Sequence, residues 1–431
     1  MFYKKLPAIS FWFVAILYIV LLFIGPRVPD TLQKEYCVRN FELGSVFGHS
    51  MNCDSADYMH NSSDPMRLLD KESIRQPRPG LILLSHFISY PINLLVKKSF
   101  ELDGYPKQTI RFKDDGSKYI INEIFHPKIV YSSYLLINLL ILYFSIYFFF
   151  RIFNLNLFSY KTYQNWIYWF ALLIIINNTV NQFLYSPSTK LFNIFLSIIT
   201  IFFSTEIYKK KKLKLEPLFL FLGILMLFYL AFFIPFIICL FLITISDKNN
   251  KMSFKIIKLF YLSFIFVIPY SIWFLLIISI NGSFYVSNFE NYRMVIWILD
   301  YFNANNLALT LYKLLYDYLD FFKIFLISHW FIFILILPFF IFFKKLNFDI
   351  DNNVYKSVII FTIIYPLFYV LLAHRPLDII SVLIIPFSVI ITEFLRNNIQ
   401  KCFQKRATKI YYTLFSVPFF FWYVSKFGPY S

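Results

Sequence analysis

Charged residues are scarce in this chain. Asp, Glu, Lys and Arg make up 15% of its 431 residues, against about 25% in a typical soluble domain. Apolar residues make up 59% and are gathered in blocks about as long as a bilayer-spanning helix, which needs about 20 residues. Since a helix satisfies its own backbone hydrogen bonds in lipid, the sequence predicts an all-α protein that crosses a membrane many times. The same blocks exclude a soluble globular fold.

Glycine and acidic residues are also scarce, and both shortages limit the functions that the chain can have. The chain has only 9 glycines and none is followed by lysine, which excludes a Walker-type phosphate-binding loop. Acidic residues number 24 against 41 Lys and Arg, a formal net charge of +17. In a membrane protein this excess is typical of cytoplasmic loops rich in Lys and Arg, so we expect membrane lipids and no nucleic acid as partners.

Cysteine is rare as well, and no His/Cys spacing typical of a zinc site occurs. Of the 4 cysteines, Cys37 and Cys53 fall in a stretch predicted to face the oxidising side of the membrane, where disulfides are allowed. They form either a disulfide that tethers the segment before Asp54 or two free thiols, because spacing alone does not reveal geometry.

The distribution of Lys and Arg predicts the orientation of the chain. Lys4 and Lys5 place the N-terminus in the cytoplasm, ahead of an apolar span at about 7–25. No small-x-small cleavage site follows this span, so we expect it to stay uncleaved. The lysine run at 209–212 is then cytoplasmic if the whole of 26–128 stays outside.

In this interpretation the chain is a single transmembrane domain, 1–431, with about 11 spans. The uncharged stretch 218–245 is too long for one span, and we expect two short helices there, broken near Ala231 to Pro235. The remaining spans are expected at about 129–150, 163–180, 189–205, 259–280, 321–343, 357–373, 379–394 and 410–425.

Two segments are expected to lie outside. The first external loop, 26–128, is mostly polar and contains an apolar stretch at 81–96. We interpret this stretch as an interfacial helix, since it is short for a span and contains His86 and Pro91. The second external loop, 281–320, is rich in aromatic residues.

Residues that can carry chemistry are concentrated in the first external loop. Asp54, Asp57 and Tyr58 are followed by Arg75 and Arg78, directly before the apolar stretch. A carboxylate at the lipid interface can act as general base toward a hydroxyl, and an arginine can bind a phosphate with two parallel hydrogen bonds. The pattern favours a reaction on a polar group carried by a lipid phosphate. Helix caps and arginines that reach up to lipid headgroups are the alternative.

These residues resemble the first periplasmic loop of GT-C glycosyltransferases, a superfamily that includes protein O-mannosyltransferases and the aminoarabinose transferases of lipid A. Asp54 and Tyr58 match an Asp-x-x-x-Tyr signature after the first span, and the Arg-Gln-Pro-Arg-Pro run at 75–79 matches a later basic-Pro element. Late in the chain, His374 and Arg375 match a His and Arg pair at the outer edge of a span.

The resemblance implies a GT-C-like bundle in a bacterial inner membrane, with its active site on the periplasmic side. It also implies a glycosyltransferase that moves a sugar from a polyprenyl-phosphate donor to a glycan, lipid or protein acceptor. Asp54 would be the catalytic base. The implied substrate-binding residues are Asp57, Tyr58, Arg75, Arg78, His374 and Arg375.

The sequence departs from the family pattern at Ser55 and Lys190, where many members have acidic residues. It indicates no obligatory cofactor, but a divalent cation stays open because relatives differ in their need for a metal. Asp54 with Asp57, or the adjacent pair at 114–115, would supply oxygen ligands for Mg²⁺ or Mn²⁺.

Three other functions stay open. An O-antigen polymerase or ligase would be expected to have its main external loop late in the chain, whereas here that loop comes first. A transporter or flippase of lipid-linked glycans would be expected to hold ionisable residues within its spans. The predicted spans contain almost none, with His329 near a span end as the main exception. A non-catalytic assembly subunit on a GT-C scaffold is the third.

Overall fold

The structure of the chain, a computed structural model, is mainly α-helical. It describes residues 2–23, 39–43, 47–51, 53–71, 73–100, 107–112, 118–123, 125–157, 165–209, 214–246, 252–285, 296–303, 307–330, 352–373 and 376–403. The helices of the first half are α1 (Phe2–Leu22), α2 (Cys53–Ser63), α3 (Pro79–Phe100), α4 (Pro127–Ile152), α5 (Asn165–Ile175), α6 (Asn178–Phe183) and α7 (Phe192–Tyr208). Those of the second half are α8 (Leu215–Phe228), α9 (Phe233–Ser246), α10 (Met252–Asn281), α11 (Ile296–Asn303), α12 (Leu307–Ser328), α13 (Asn352–Leu371), α14 (Leu377–Ser381) and α15 (Ile384–Phe403).

The length and composition of these helices are consistent with the predicted membrane-spanning character. Within the described ranges, 4 segments are long and apolar enough to cross a bilayer, namely Pro127–Ile152, Met252–Asn281, Asn352–Leu371 and Leu377–Phe394. Shorter apolar helices accompany them, including α7, α8 and the N-terminal part of α3. The predicted span at 410–425 lies outside the described residues.

Two short β-hairpins lie in the predicted first external loop. Strand β1 (Arg39–Leu43) pairs antiparallel with β2 (Phe47–Met51), and β3 (Lys107–Phe112) pairs with β4 (Lys118–Glu123). None of the sequence patterns above predicts them, because strands of five or six residues leave no long periodic signal. The predicted helical domain thus also contains two short antiparallel hairpins.

The stretch 218–245 is divided into two helices, as predicted. Between α8 and α9, Tyr229 is extended with φ −153° and ψ 116°, and a 3₁₀ turn spans Leu230–Phe232. Pro235 explains the break, since in a continuous helix its ring would clash with the carbonyl four residues earlier, at Ala231.

Helices α8 and α9 fold back on each other. The ring centroids of Phe219 and Phe236 are 5.8 Å apart, whereas a continuous helix would separate these residues by roughly 25 Å. Phe236 also stacks on Phe266 of α10, with centroids 3.9 Å apart and planes at 9°. The hairpin predicted from excess length is thus held by aromatic contacts with the following helix.

Two other predicted spans are interrupted. The span at 163–180 breaks at Asn177, whose side chain caps α6 by accepting the N–H two residues on, at 2.8 Å. The span at 379–394 breaks between α14 and α15. Pro386 accounts for this break as Pro235 does for the earlier one, because its ring would clash with the carbonyl of Val382.

The two interruptions bind each other through buried polar groups. The side-chain amide of Asn177 donates to the backbone carbonyl of Ser381 at 3.1 Å, and the Thr179 hydroxyl donates to the carbonyl of Asp378 at 2.6 Å. Backbone groups released at a helix break must find partners inside the bundle. These contacts supply such partners and bring α6 against α14.

Helices α7 and α13 define the two ends of the bundle. At one end the Tyr369 hydroxyl donates to Oδ1 of Asn193 at 2.5 Å. At the other, the Lys356 ammonium lies over the ring of Tyr208, 5.9 Å from its centroid. The two helices therefore run antiparallel. We call the end that contains Asn193 and Tyr369 the polar end.

Buried acidic side chains correct one expectation. Glu393 in α15 is 3% exposed and lies within a predicted span, and Glu206 and Asp317 are also buried. Asp317 belongs to α12, which begins at Leu307, inside the predicted second external loop. The start of this helix was not predicted because its charged residues interrupt the apolar run. Glu393 is therefore a second exception, beside His329, to the expectation of spans almost free of ionisable residues, and it weakens that argument against a transporter.

Gly223 sets the separation between α8 and α10. A Cβ at this position would lie 2.1 Å from the backbone oxygen of Phe266 and 3.2 Å from Cδ of Pro269. Since the nearest atom belongs to backbone, a side-chain rotation cannot relieve the contact. Only glycine allows this approach.

We expect Gly223→Ala to push α8 away from α10 and destabilise the protein by about 1–3 kcal/mol, as overpacking usually does. Leu220→Ala is the matched control, since Leu220 lies on the same helix and is 41% exposed. The measurement is the thermal unfolding midpoint of purified protein in detergent. A Gly223→Ala midpoint equal to that of the wild type would show that the two helices are not packed this closely.

Candidate functional site

Three of the predicted site residues lie on one face of α2. Asp54, Asp57 and Tyr58 are three and four residues apart, a spacing that aligns side chains along a helix. After α2 the chain passes through a 3₁₀ helix, Pro65–Leu69, and turns at 73–77 before α3 begins at a proline, a residue suited to a first helical turn. This turn returns Arg75 to the face of α2.

Arg75 binds both carboxylates of α2. Its Nε donates to Oδ2 of Asp57 at 2.6 Å, and its Nη2 donates to Oδ1 of Asp54 at 3.0 Å. The guanidinium carbon also lies 4.3 Å from the centroid of the Tyr58 ring, a cation–π distance. One arginine thus contacts all three predicted residues of the helix face.

The side chain of Arg75 is almost completely buried, at 4% exposure. Burial by itself lowers the pKa of a guanidinium, but Tyr58, Asp57 and Asp54 outweigh it and raise the pKa of Arg75 above its ordinary value. A buried cation is stable only where opposite charges and acceptors surround it. The α2 face supplies both.

The two carboxylates differ in exposure. The side chain of Asp57 is 34% exposed, and its Oδ1 accepts a further hydrogen bond from the Asn61 amide at 3.1 Å. The side chain of Asp54 is 72% exposed. Among the described residues only Arg75 binds the Asp54 carboxylate, through Oδ1, so Oδ2 is open to a ligand. Asp54 is therefore the better placed of the two to accept a proton.

Helix α2 docks on the segment between α6 and α7 at the polar end. The hydroxyls of Ser55 and Ser186 are 2.6 Å apart, and those of Tyr58 and Thr189 are 3.4 Å apart. From α4, the Tyr134 hydroxyl donates to the Tyr58 carbonyl at 3.1 Å. Ser55 is fully buried, so an acidic side chain in its place would need a buried counter-charge. At this position the chain has a pair of hydroxyls in contact instead of a charge.

Arg78 faces the same segment. Its Nη1 lies 3.4 Å from the Thr189 hydroxyl, which accepts the bond. The side chain is half-buried. Within the described ranges, no carboxylate lies at ion-pair distance from Arg78. Its guanidinium therefore retains donors for an anionic ligand.

Lys190 is paired with an acid that the sequence patterns did not single out. Its Nζ is 3.5 Å from Oδ2 of Asp378, an ion pair without a hydrogen bond. Asp378 is buried on α14, directly after the His-Arg-Pro run. The carboxylate beside Lys190 thus comes from a helix that is distant in the chain. Proximity to the run at 374–376 was the only signal that pointed to Asp378.

The turn that contains Arg75 is also fastened to α10. The backbone carbonyl of Gln76 accepts the indole N–H of Trp273 at 2.7 Å, and its side-chain oxygen accepts the N–H of Tyr285 at 2.9 Å. The Asn281 amide donates to the carbonyl of Leu69. These bonds hold the turn that contains Arg75 against α10 and the residues that follow it.

The structure gathers most of the predicted site. Asp54, Asp57, Tyr58 and Arg75 form one cluster, and Arg78 joins it through Thr189. Residues outside the described ranges are His374, Arg375, the pair at 114–115 and Cys37. The choice between a Cys37–Cys53 disulfide and two free thiols therefore also lies outside them. Within those ranges, no three His, Cys, Asp or Glu side chains are grouped to hold a metal ion.

No protein-family model matches the chain, and no curated protein or solved structure matches it either. The chemistry of the polar end is therefore the basis for function. Its elements are an exposed carboxylate, a buried arginine that orients it, and a second arginine with free donors.

We expect Asp57→Asn to destabilise the protein, because it removes the shorter of the two ion pairs of a buried guanidinium. The loss should be about 1–3 kcal/mol, the usual cost when a buried donor loses its partner. Asp64→Asn is the matched control, since the Asp64 side chain makes no capping hydrogen bond. Thermal unfolding in detergent provides the comparison. Equal midpoints for the two variants would contradict the role given to Asp57.

His60 on α2 gives a dependence on pH. Burial lowers the pKa of His60 from its usual 6.5, Arg67 lowers it further, and Asp57 partly opposes them. Because the unfolded chain then takes up this proton at a higher pH than the folded chain, stability should fall as the pH drops below about 6.5. We expect His60→Gln to reduce the loss of thermal stability between about pH 7.5 and about pH 5. An unchanged loss would contradict this.

Proposed function

We propose that the chain is an inner-membrane glycosyltransferase of GT-C type, which moves a sugar from a polyprenyl-phosphate donor to an acceptor on the periplasmic side. The observation that carries the proposal is the exposed carboxylate of Asp54, oriented by a buried Arg75 and close in the chain to Arg78. A lipid-linked donor suits this site because nucleotide sugars do not reach the periplasm.

In the proposed reaction Asp54 is the general base. Its open oxygen, Oδ2, accepts the proton of the acceptor hydroxyl, and the freed oxygen attacks the anomeric carbon of the sugar. The bond between that carbon and the phosphate oxygen breaks, and its electron pair leaves with the carrier phosphate. The hydrogen bond from Arg75 to Oδ1 keeps the carboxylate in one orientation and so reduces the entropy lost on reaching the reactive geometry.

Arg78 binds the leaving phosphate in this proposal. Its guanidinium is half-buried and its one described side-chain partner is the hydroxyl of Thr189, which leaves donors for a bidentate contact with phosphate. Arg75 was expected to share this task. Its Nε and Nη2 are already bound to carboxylates and its side chain is buried, so Arg75 acts as a positioning residue instead.

Further phosphate contacts are assigned to His374 and Arg375 by the resemblance. The described residues that follow them support this, since Asp378 pairs with Lys190, the neighbour of Thr189. Tyr369 near the end of α13 and Asp378 near the start of α14 therefore both lie at the polar end.

The carrier lipid would lie along α3. This helix begins directly after Arg78 and exposes a series of large apolar side chains. They are Phe87, Tyr90, Leu94 and Leu95. A donor with its phosphate at Arg78 can lay its isoprenoid chain along this apolar surface, where the two make van der Waals contact within the bilayer.

The test is transfer from a radiolabelled polyprenyl-phosphate sugar pool in membranes that contain the wild type, Asp54→Asn or Asp64→Asn. Asparagine retains an oxygen that accepts the Arg75 bond, so Asp54→Asn should fold and bind donor. Its transfer rate should fall by about 10²–10⁴, the usual contribution of a general base. Asp64→Asn should transfer at the wild-type rate.

Near-normal transfer by Asp54→Asn would remove Asp54 from the mechanism. Movement of the donor lipid between leaflets without transfer would favour the transporter alternative, to which the buried Glu393 also lends weight. A chain that neither transfers sugar nor moves the donor would favour a non-catalytic subunit.

A further inference from the structure

The Asp54 and Asp57 carboxylates do not fit the divalent cation that the sequence left open. Mg²⁺ and Mn²⁺ need several oxygen ligands directed at one point. Here Oδ1 of Asp54 and Oδ2 of Asp57 accept from Arg75, and Oδ1 of Asp57 accepts from Asn61. Three of the four carboxylate oxygens are therefore occupied by donors of the chain itself.

The group between the carboxylates is itself a cation. The guanidinium of Arg75 is planar and always charged, and its donors match carboxylate oxygens. Its two ion pairs measure 2.6 and 3.0 Å, so a divalent ion between the same oxygens would meet a like charge at close range. The metal would have to displace the arginine.

Arg75 cannot easily be displaced. Its side chain is buried, with one face covered by the ring of Tyr58. The next residue, Gln76, is held by Trp273 and Tyr285 of the α10 end. A guanidinium separated from its carboxylate partners would remain in this fixed turn, buried and unpaired. Burying an unpaired charge is strongly unfavourable.

We infer that Arg75 takes the place of a divalent metal between Asp54 and Asp57, and that removal of its guanidinium converts the two carboxylates into a Mn²⁺ site. The arginine supplies the positive charge that balances and orients Asp54. The significance for catalysis rests on the proposed function, whereas the metal-binding property does not.

Mn²⁺ binding to purified full-length protein, followed by the electron paramagnetic resonance signal of free Mn²⁺, tests the inference. Wild type and Asp54→Asn should bind Mn²⁺ equally, because Arg75 occupies the position between the two carboxylates. Arg75→Ala should bind one Mn²⁺ ion more than the wild type, since the two carboxylates are then free to act as charged oxygen ligands. The gain should disappear in Arg75→Ala combined with Asp57→Asn and persist in Arg75→Ala combined with Asp64→Asn.

Two results would overturn the inference. One is a Mn²⁺ ion that the wild type binds and Asp54→Asn loses. The other is a folded Arg75→Ala protein that gains no Mn²⁺ ion. If Arg75→Ala does not fold, the comparison of wild type with Asp54→Asn decides alone.

Neither Mn²⁺-binding comparison measures sugar transfer. A result that overturns this inference is therefore distinguishable from a result that overturns the proposed function.

Discussion

The buried guanidinium of Arg75 joins parts of the chain that are otherwise separate. A cation out of water is stable only when paired and hydrogen-bonded, and both carboxylate partners of Arg75 come from α2. The position of the turn at 73–77 and the orientation of α2 therefore depend on the same contacts. Because Gln76 is bound to the end of α10 and α3 begins at once afterwards, the same contact fixes how the first loop meets the bundle.

Interrupted helices build the rest of the polar end. Breaks at Asn177 and before Pro386 lie against each other, and the carbonyls of Asp378 and Ser381 at the second accept hydrogen bonds from the side chains of Thr179 and Asn177 at the first. The segment that follows α6 then presents Thr189 to both Tyr58 and Arg78. A continuous helix favours membrane insertion, but these helices are interrupted where polar side chains converge.

The sequence predicted some of these features and missed others for identifiable reasons. The break near Pro235 was predicted because an uncharged stretch exceeded the length of one span. The break before Pro386 follows from the same steric rule, but the stretch 379–394 is no longer than one span, so its length did not predict a break. Asp54 and Tyr58 were singled out by their resemblance to a GT-C signature, and Asp57 by its place in the same polar cluster, and both features are local in the chain. Asp378 was not singled out, since it pairs with a lysine far away in the chain.

The sequence by itself determined the helical, membrane-spanning character of the chain and the segment in which its candidate base lies, because hydropathy and helical spacing are local properties. Only the tertiary structure decided which charges meet. Arg75 looked like a phosphate ligand in the sequence, yet its partners are carboxylates 18 and 21 residues earlier. Ser55 and Ser186, 131 residues apart, meet only in the packed bundle. The role of an ionisable residue depends on its burial and its partners, and both arise when distant helices pack.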